Sequence, residues 1–176
     1  MRRIVTCLAL ASTLLCAGSA MAADSPPAYI GKHTSTQQDT AAINKVVEDF
    51  GNAIRNKDSK LLSTLVLHSN ILFDAPMDPE GIAMVRNKFD VTFDGLRSGG
   101  YSDFARFIGT TKDQVEEKFY NVKITQDKNV AWVMFDYEFV VNGKTQNYGI
   151  ETWQMMKSAD DKWKIASVMW TVNRLN

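Results

Sequence analysis

A few carboxyl and phenol groups in this sequence stand where acid–base chemistry is feasible. Asp74 ends a short extended run, Asn70-Ile71-Leu72-Phe73, ahead of Ala75-Pro76. If burial raised its pKa it would serve as a general base, a role that contributes roughly 10²–10⁴-fold to a rate. Such a base needs a partner that stabilises the oxyanion. Of Tyr101, Tyr120, Tyr137 and Tyr148, Tyr137 is best placed, on the apolar parity of an alternating segment. Glu151 lies mid-segment on the parity of Trp153 and Met155. Desolvation there would raise its pKa and make it the strongest candidate. Each group also has a plain structural reading. Asp74 beside Pro76 makes an Asx-type turn, and Glu151, like Asp136 and Glu138, fits a wet sheet face.

The remaining polar candidates carry weaker chemistry. His68 follows a short apolar helix and titrates near neutral pH, but a histidine there also complements the helix dipole. Arg106, among Phe104, Phe107 and Ile108, would clamp a carboxylate or phosphate, or simply pack its stem on those rings. Trp153 and Trp170 would offer flat apolar walls to a ring-shaped ligand, or be core. His33 lies in a polar N-terminal stretch, so His68 alone cannot make a histidine-rich metal site. No serine or cysteine nucleophile motif, phosphate loop or dinucleotide fingerprint is present. The reading is of a site with no cofactor and no metal.

The elements that must position these residues follow from periodicity. Ile43, Val46, Val47, Phe50 and Ile54 form one helical stripe, with Thr36 or Asp39 as its cap. Asn56-Lys57-Asp58 ends that helix, and Asp58 caps a second carrying Leu61, Leu62, Leu65 and Val66. Asp78-Pro79 opens a third, whose apolar period runs Ile82, Val85, Phe89, Phe93, Leu96 until Gly99-Gly100. Residues 101–108 read as a short helix or an ordered loop.

Residues 117–175 then alternate as four strands. Tyr120, Val122 and Ile124 mark the first, and Asp127-Lys128-Asn129 is a turn. Residues 130–141, the Asn142-Gly143 hairpin signal, residues 145–156 and residues 163–172 complete an antiparallel meander. Helices first and a meander last give an α+β layer fold. Apolar residues occupy both parities. Ala131, Val133, Phe135, Tyr137 and Phe139 oppose Trp132 and Met134, while Trp163, Ile165 and Met169 oppose Ala166, Val168, Trp170 and Val172. Both sheet faces therefore ask for cover, either from a homodimer through the sheet face or from strong curvature.

The N-terminus reads as a cleaved export signal. Arg2-Arg3 precede an apolar stretch over 4–17, and Ala20-Met21-Ala22 is an A-x-A site, so cleavage falls after Ala22. That stretch is shorter than the ~20 residues of a membrane span, and the expected location is periplasmic or secreted. Cys7 and Cys16 leave with it, so the mature chain has no disulfide. Residues 23–38, with Pro26-Pro27 and a Ser/Thr/Gln tract, read as a flexible tether, and residues 39–176 as one domain. Cleavage leaves 18 basic against 20 acidic side chains, a net charge of −2. No basic patch points to nucleic acid or an anionic membrane.

Two N-terminal helices, Asp58 opening the second, a short strand, an intervening helix and a curved terminal meander together resemble the nuclear-transport-factor-2-like superfamily, which includes SnoaL-like cyclases and ketosteroid-isomerase-like proteins. The runs Val130–Phe139, Asn142-Gly143-Lys144, Tyr148-Gly149 and Trp163-Lys164-Ile165 are similar to its exported members. The resemblance implies a cone, with a cystatin-like curved sheet wrapped around the helices and a pocket at the wide end. It also implies histidines that this chain lacks. Asn147 stands where many relatives carry one in the fourth strand, and Met169 where some carry one in the last.

The expected ligand-contacting set is thus Tyr137, Glu151, Trp153, His68, Asp74, Arg106, Asn147 and Met169, with Asp74, Glu151 and Tyr137 as the catalytic candidates. The first reading is an exported protein that binds a small hydrophobic or cyclic molecule. The alternatives are a cofactor-free isomerase, dehydratase or cyclase working through a pocket carboxylate, and a dimerising protein-interaction module.

Overall fold

The folded unit starts at a cap. Thr36 accepts the Asp39 N–H at 3.0 Å and opens helix α1, Gln37–Arg55. Its Ile43, Val47, Phe50, Ala53 and Ile54 form the buried stripe. Lys57 takes a left-handed φ of 55° to turn the chain. Asp58 then accepts the Leu61 N–H at 2.8 Å and starts α2, Ser59–Leu65. The computed structural model describes residues 25–96 and 100–175. The expected signal segment, 1–22, and Gly99 lie outside the described residues. Residues 25–32 belong to a separate unit with one turn, closed by the Ile30 N–H on the Pro27 carbonyl at 2.9 Å.

The folded unit is His33–Asn176, so the tether expected over 23–38 is too long at its C-terminal end. Thr34 donates to Asp127 at 2.9 Å and accepts the Lys128 N–H at 2.8 Å, which ties it to a strand turn.

The strands are β1, Leu72–Asp74; β2, Val115–Asp127; β3, Val130–Val141; β4, Lys144–Lys157; and β5, Trp163–Trp170. They form one sheet in the order β1-β5-β4-β3-β2, with β1 parallel to β5 and every other pair antiparallel. Three bulges bend it. Asn121-Val122 sit opposite Phe135 alone, Gln146 is extra against β3, and Ala166 is extra against β4. Extra residues raise local twist and curl a strand. The curved, open sheet wraps α1 and α2, and the protein is an α+β cone.

The Ala166 bulge explains the doubled parity of β5. Trp163 and Ile165 point inward before it, Val168 and Trp170 after it, because one extra residue switches the alternation. Met169 alone of the apolar pair at that end turns out, 46% exposed. On β3 the two faces are real. Trp132 and Met134 are exposed, while Ala131, Val133, Phe135 and Tyr137 are buried.

Helix α3, Pro79–Lys88, is capped by Asp78 at 2.7 Å to the Gly81 N–H, as the sequence suggests. It does not continue to Leu96. Asp90 and Asp94 accept the Thr92 and Leu96 N–H groups at 2.9 Å each, which favours turns over helix. No residue of α3 is buried, and Phe89 beyond it is 80% exposed. Residues 101–108 resolve as a helix, α4, Tyr101–Thr110.

Candidate functional site

Val115, Glu117 and Phe119 share the inward parity of β2 up to its bulge, so Glu117 faces the core side. Tyr137 on β3 and Glu151 on β4 face the same way, in register with Gly149 and Phe135 respectively. These side chains meet at one end of the sheet, at a cavity of about 410 Å³. Strand β1 supplies Phe73 and Asp74, and β5 supplies Trp170. Helix α4 and its cap supply Gly100, Asp103, Phe104 and Phe107, while Phe139 and Asn147 complete the wall. Volume and lining fit a ligand site, since such pockets span roughly 300–1,000 Å³ and are mostly apolar.

Two carboxyls lie deep in this aromatic lining. Glu117 is 7% exposed and Glu151 3% exposed. Burial is the main force on Glu117 and drives its pKa well above the usual carboxyl range, reinforced by the charge of Glu151 beside it. Burial also raises Glu151, to about 7, against the opposing pull of the Trp153 indole and of Glu117. The Trp153 Nε1–H donates to Glu151 at 2.5 Å. Each carboxyl acts on the ionisation of the other, so the two lose their protons as a pair.

Tyr137 is tied into the protein. Its hydroxyl is 2.8 Å from the Thr171 carbonyl and 2.8 Å from the Asn147 amide. A phenol has one proton, which it donates either to the Thr171 carbonyl or to the Asn147 Oδ1, both within reach. Burial, then the charges of Glu117 and Glu151, push its pKa up. The phenol is thus a rigid wall group whose proton already has a protein acceptor.

Of the residues singled out in the sequence, the fold gathers Asp74, Tyr137, Asn147 and Glu151 on one cavity. Trp153 sits behind it, 1% exposed, stacked edge-on with Phe135 and holding Glu151. The other three lie elsewhere. His68 is exposed, and its Nδ1 accepts the Asn70 N–H at 3.1 Å, a local turn contact. Arg106 is exposed and ion-paired with Asp103 one turn back on α4. Met169 faces outward because the Ala166 bulge precedes it. Asp136 and Glu138 lie on the outer face, where Asp136 accepts from Asn121 at 2.6 Å and Glu138 pairs with Lys118 at 3.5 Å.

Glu117 is the residue that sequence reasoning missed. The alternation of Tyr120, Val122 and Ile124 places odd residues of this strand outside. The bulge at Asn121-Val122 reverses that parity upstream. The available signal was Val115 and Phe119, two apolar neighbours on Glu117's own parity; at the bulge itself Asn121 takes a φ of 54°.

No family model and no curated protein matches the chain. Solved structures do. An NTF2-like protein of unknown function from Shewanella baltica aligns with a TM-score of 0.56 at 14% identity, covering 81% of this chain and 100% of that one. A nuclear transport factor 2 superfamily protein from Salmonella enterica aligns with a TM-score of 0.54 at 20% identity, covering 81% and 96%. An NTF2-like protein with a cystatin-like fold from Novosphingobium aromaticivorans aligns with a TM-score of 0.56 at 13% identity, covering 77% and 82%. With the four helices, the five-stranded curved sheet and the pocket at its end, these likenesses give the chain its place: it has the nuclear-transport-factor-2-like, cystatin-like fold.

Proposed function

We propose that this protein binds a small ring-bearing molecule in the cavity between α4 and the curved sheet. The observation that carries the reading is the burial of Glu117 and Glu151 together in an aromatic pocket. Two adjacent buried carboxyls destabilise a fold unless something offsets them. Groups kept at such a cost cluster at functional sites. The phenol of Tyr137, held by Thr171 and Asn147, shapes the wall beside them. Thermal-shift screening with one- and two-ring compounds tests this. Binders raise the Tm of the wild type and leave a folded Asn147→Trp variant, whose cavity is filled, unchanged. A panel without effect on the wild type overturns the reading.

One observation favours a second reading, a cofactor-free isomerase, dehydratase or cyclase. Glu151 is raised to about 7, where a carboxyl can both give and take a proton at neutral pH. Asp74 lies on the same cavity. Turnover of an unsaturated cyclic ketone that is unchanged in Asp74→Asn and Glu151→Gln would remove both residues from that role.

Export is part of the same proposal. Among the described residues no helix is long and apolar enough to cross a membrane. A mature protein beginning at Ala23, read by intact mass after expression in the native host, supports the expected cleavage. An uncleaved cytoplasmic chain ends it.

A further inference from the structure

We propose that the ligand of this cavity is an organic cation, a ring-bearing primary or secondary amine whose ammonium group sits on Glu117 and Glu151. The inference rests on the cavity being a ligand site and adds the chemical class of the ligand.

Charge and geometry carry it. The cavity is lined by Asp74, Asp103, Glu117 and Glu151, and by no lysine, arginine or histidine among the described residues. Asp103 is exposed and already paired with Arg106. Glu151 accepts one hydrogen bond, from the Trp153 indole, and otherwise meets Glu117. Glu117 is more than nine-tenths buried, and among the described residues Glu151 is the side chain that acts on its carboxyl. Both line the cavity, so the pair offers it acceptor capacity that the described residues do not fill. An ammonium brings two or three donors and a full positive charge, which is what two adjacent carboxylates lack.

The walls suit the same ligand. Phe73, Phe104, Phe107, Phe139 and Trp170 line the same cavity as the carboxyls. Aromatic faces attract cations as well as apolar groups. Phe73 packs on Phe104 at 4.8 Å and on Trp170 at 5.2 Å between ring centroids, so this wall is braced before any ligand arrives. An anionic ligand would meet buried acids with no lysine, arginine or histidine among the described lining residues. A hard metal ion would need about six or more oxygen ligands, and among the described residues no group of His, Cys, Asp or Glu is placed to hold one.

The test uses the purified full-length domain and three isosteric probes: benzylammonium, benzyl alcohol and benzoate. Calorimetry at pH 7.5 should show benzylammonium binding at least tenfold more tightly than benzyl alcohol, and benzoate not binding. In Glu117→Gln/Glu151→Gln, checked for folding by circular dichroism, the preference for the ammonium over the alcohol should vanish. Equal binding of ammonium and alcohol by the wild type overturns the cation inference and leaves the ligand site standing. Absence of binding by all three, alongside a flat thermal-shift panel, overturns both. A preference for benzylammonium that survives in the double variant places the cation elsewhere and also overturns the inference.

Discussion

At the scale of single residues, the molecule is governed by two opposed acidic clusters. Glu117 and Glu151 have pKa values raised in the folded state. Their contribution to stability is complete below the ordinary glutamate value of 4.5 and is lost as pH climbs through the folded value, about 7 for Glu151. Asp39 is the reverse. Lys157 at 2.9 Å, Gln126 at 3.0 Å, Thr36 at 2.9 Å and the Trp163 indole at 3.1 Å all donate to its carboxylate, and hold its pKa below the usual range. Its contribution is present above the ordinary aspartate value of 3.8 and is lost as pH falls. The Tm of the wild type should therefore peak between the ordinary aspartate value of 3.8 and the ordinary glutamate value of 4.5, falling below as Asp39 is protonated and above as burial opposes ionisation of the glutamates. Glu117→Gln should flatten the alkaline limb and raise the Tm at pH 8, because a neutral amide replaces an acid whose ionisation burial opposes. Asp39→Asn should lower the Tm at pH 7 and flatten the acid limb. Trp153→Phe removes a donor to the Glu151 carboxylate, so the Glu151 titration followed by carbon-13 NMR should move further up. A downward move would show that the indole does not stabilise the anion.

At the scale of elements, the bulges decide which side chains reach the cavity. The bulge at Asn121-Val122 sends Glu117 inward, and the bulge at Ala166 sends Trp170 in and Met169 out. Alternation was legible in the sequence over β3, where no bulge interrupts Ala131, Val133, Phe135 and Tyr137. It misled at β2 and β5, since one extra residue inverts parity without any change in composition. Helix caps at Thr36, Asp58 and Asp78 were legible because the side chain and its acceptor role are local. The end of α3 was not, because the apolar period continues into residues that find no surface to bury them. Close packing supplies a test of how the site is held. A Cβ at Gly149 would come within 2.5 Å of the Thr171 carbonyl oxygen, the acceptor of the Tyr137 hydroxyl. Gly149→Ala should cost about 2–3 kcal/mol by denaturant unfolding and weaken probe binding in the cavity. An unperturbed variant would mean that Thr171 does not brace the phenol.

At the scale of the folded unit, one aromatic chain links core to site. Phe135 meets Trp153 at 5.0 Å, Trp153 meets Phe50 at 5.0 Å, Phe50 stacks on Phe104 at 6.0 Å, and Phe104 touches Phe73 and through it Trp170. Phe50→Ala should cost about 3–5 kcal/mol, and should loosen the pocket as well as the core. The cone itself was legible, since helix order and meander are both written in periodicity. The pocket was legible in part: Asp74, Tyr137, Asn147 and Glu151 converge, but the inward turn of Glu117 depends on the bulge at Asn121-Val122, whose one trace in the sequence is the apolar pair Val115 and Phe119. The outer sheet face, with Trp132, Met134 and Ile150 exposed, keeps the homodimer suggested by the sequence as a proposal. Sedimentation velocity should find a dimer that Met134→Glu dissociates, and a monomeric wild type would end it. The central claim, that the buried glutamates mark an occupied ligand site, is tested most directly by native mass spectrometry of protein drawn from its own host. The wild type should carry one small molecule per chain and the folded Asn147→Trp variant none. A bare polypeptide mass for the wild type would contradict the account.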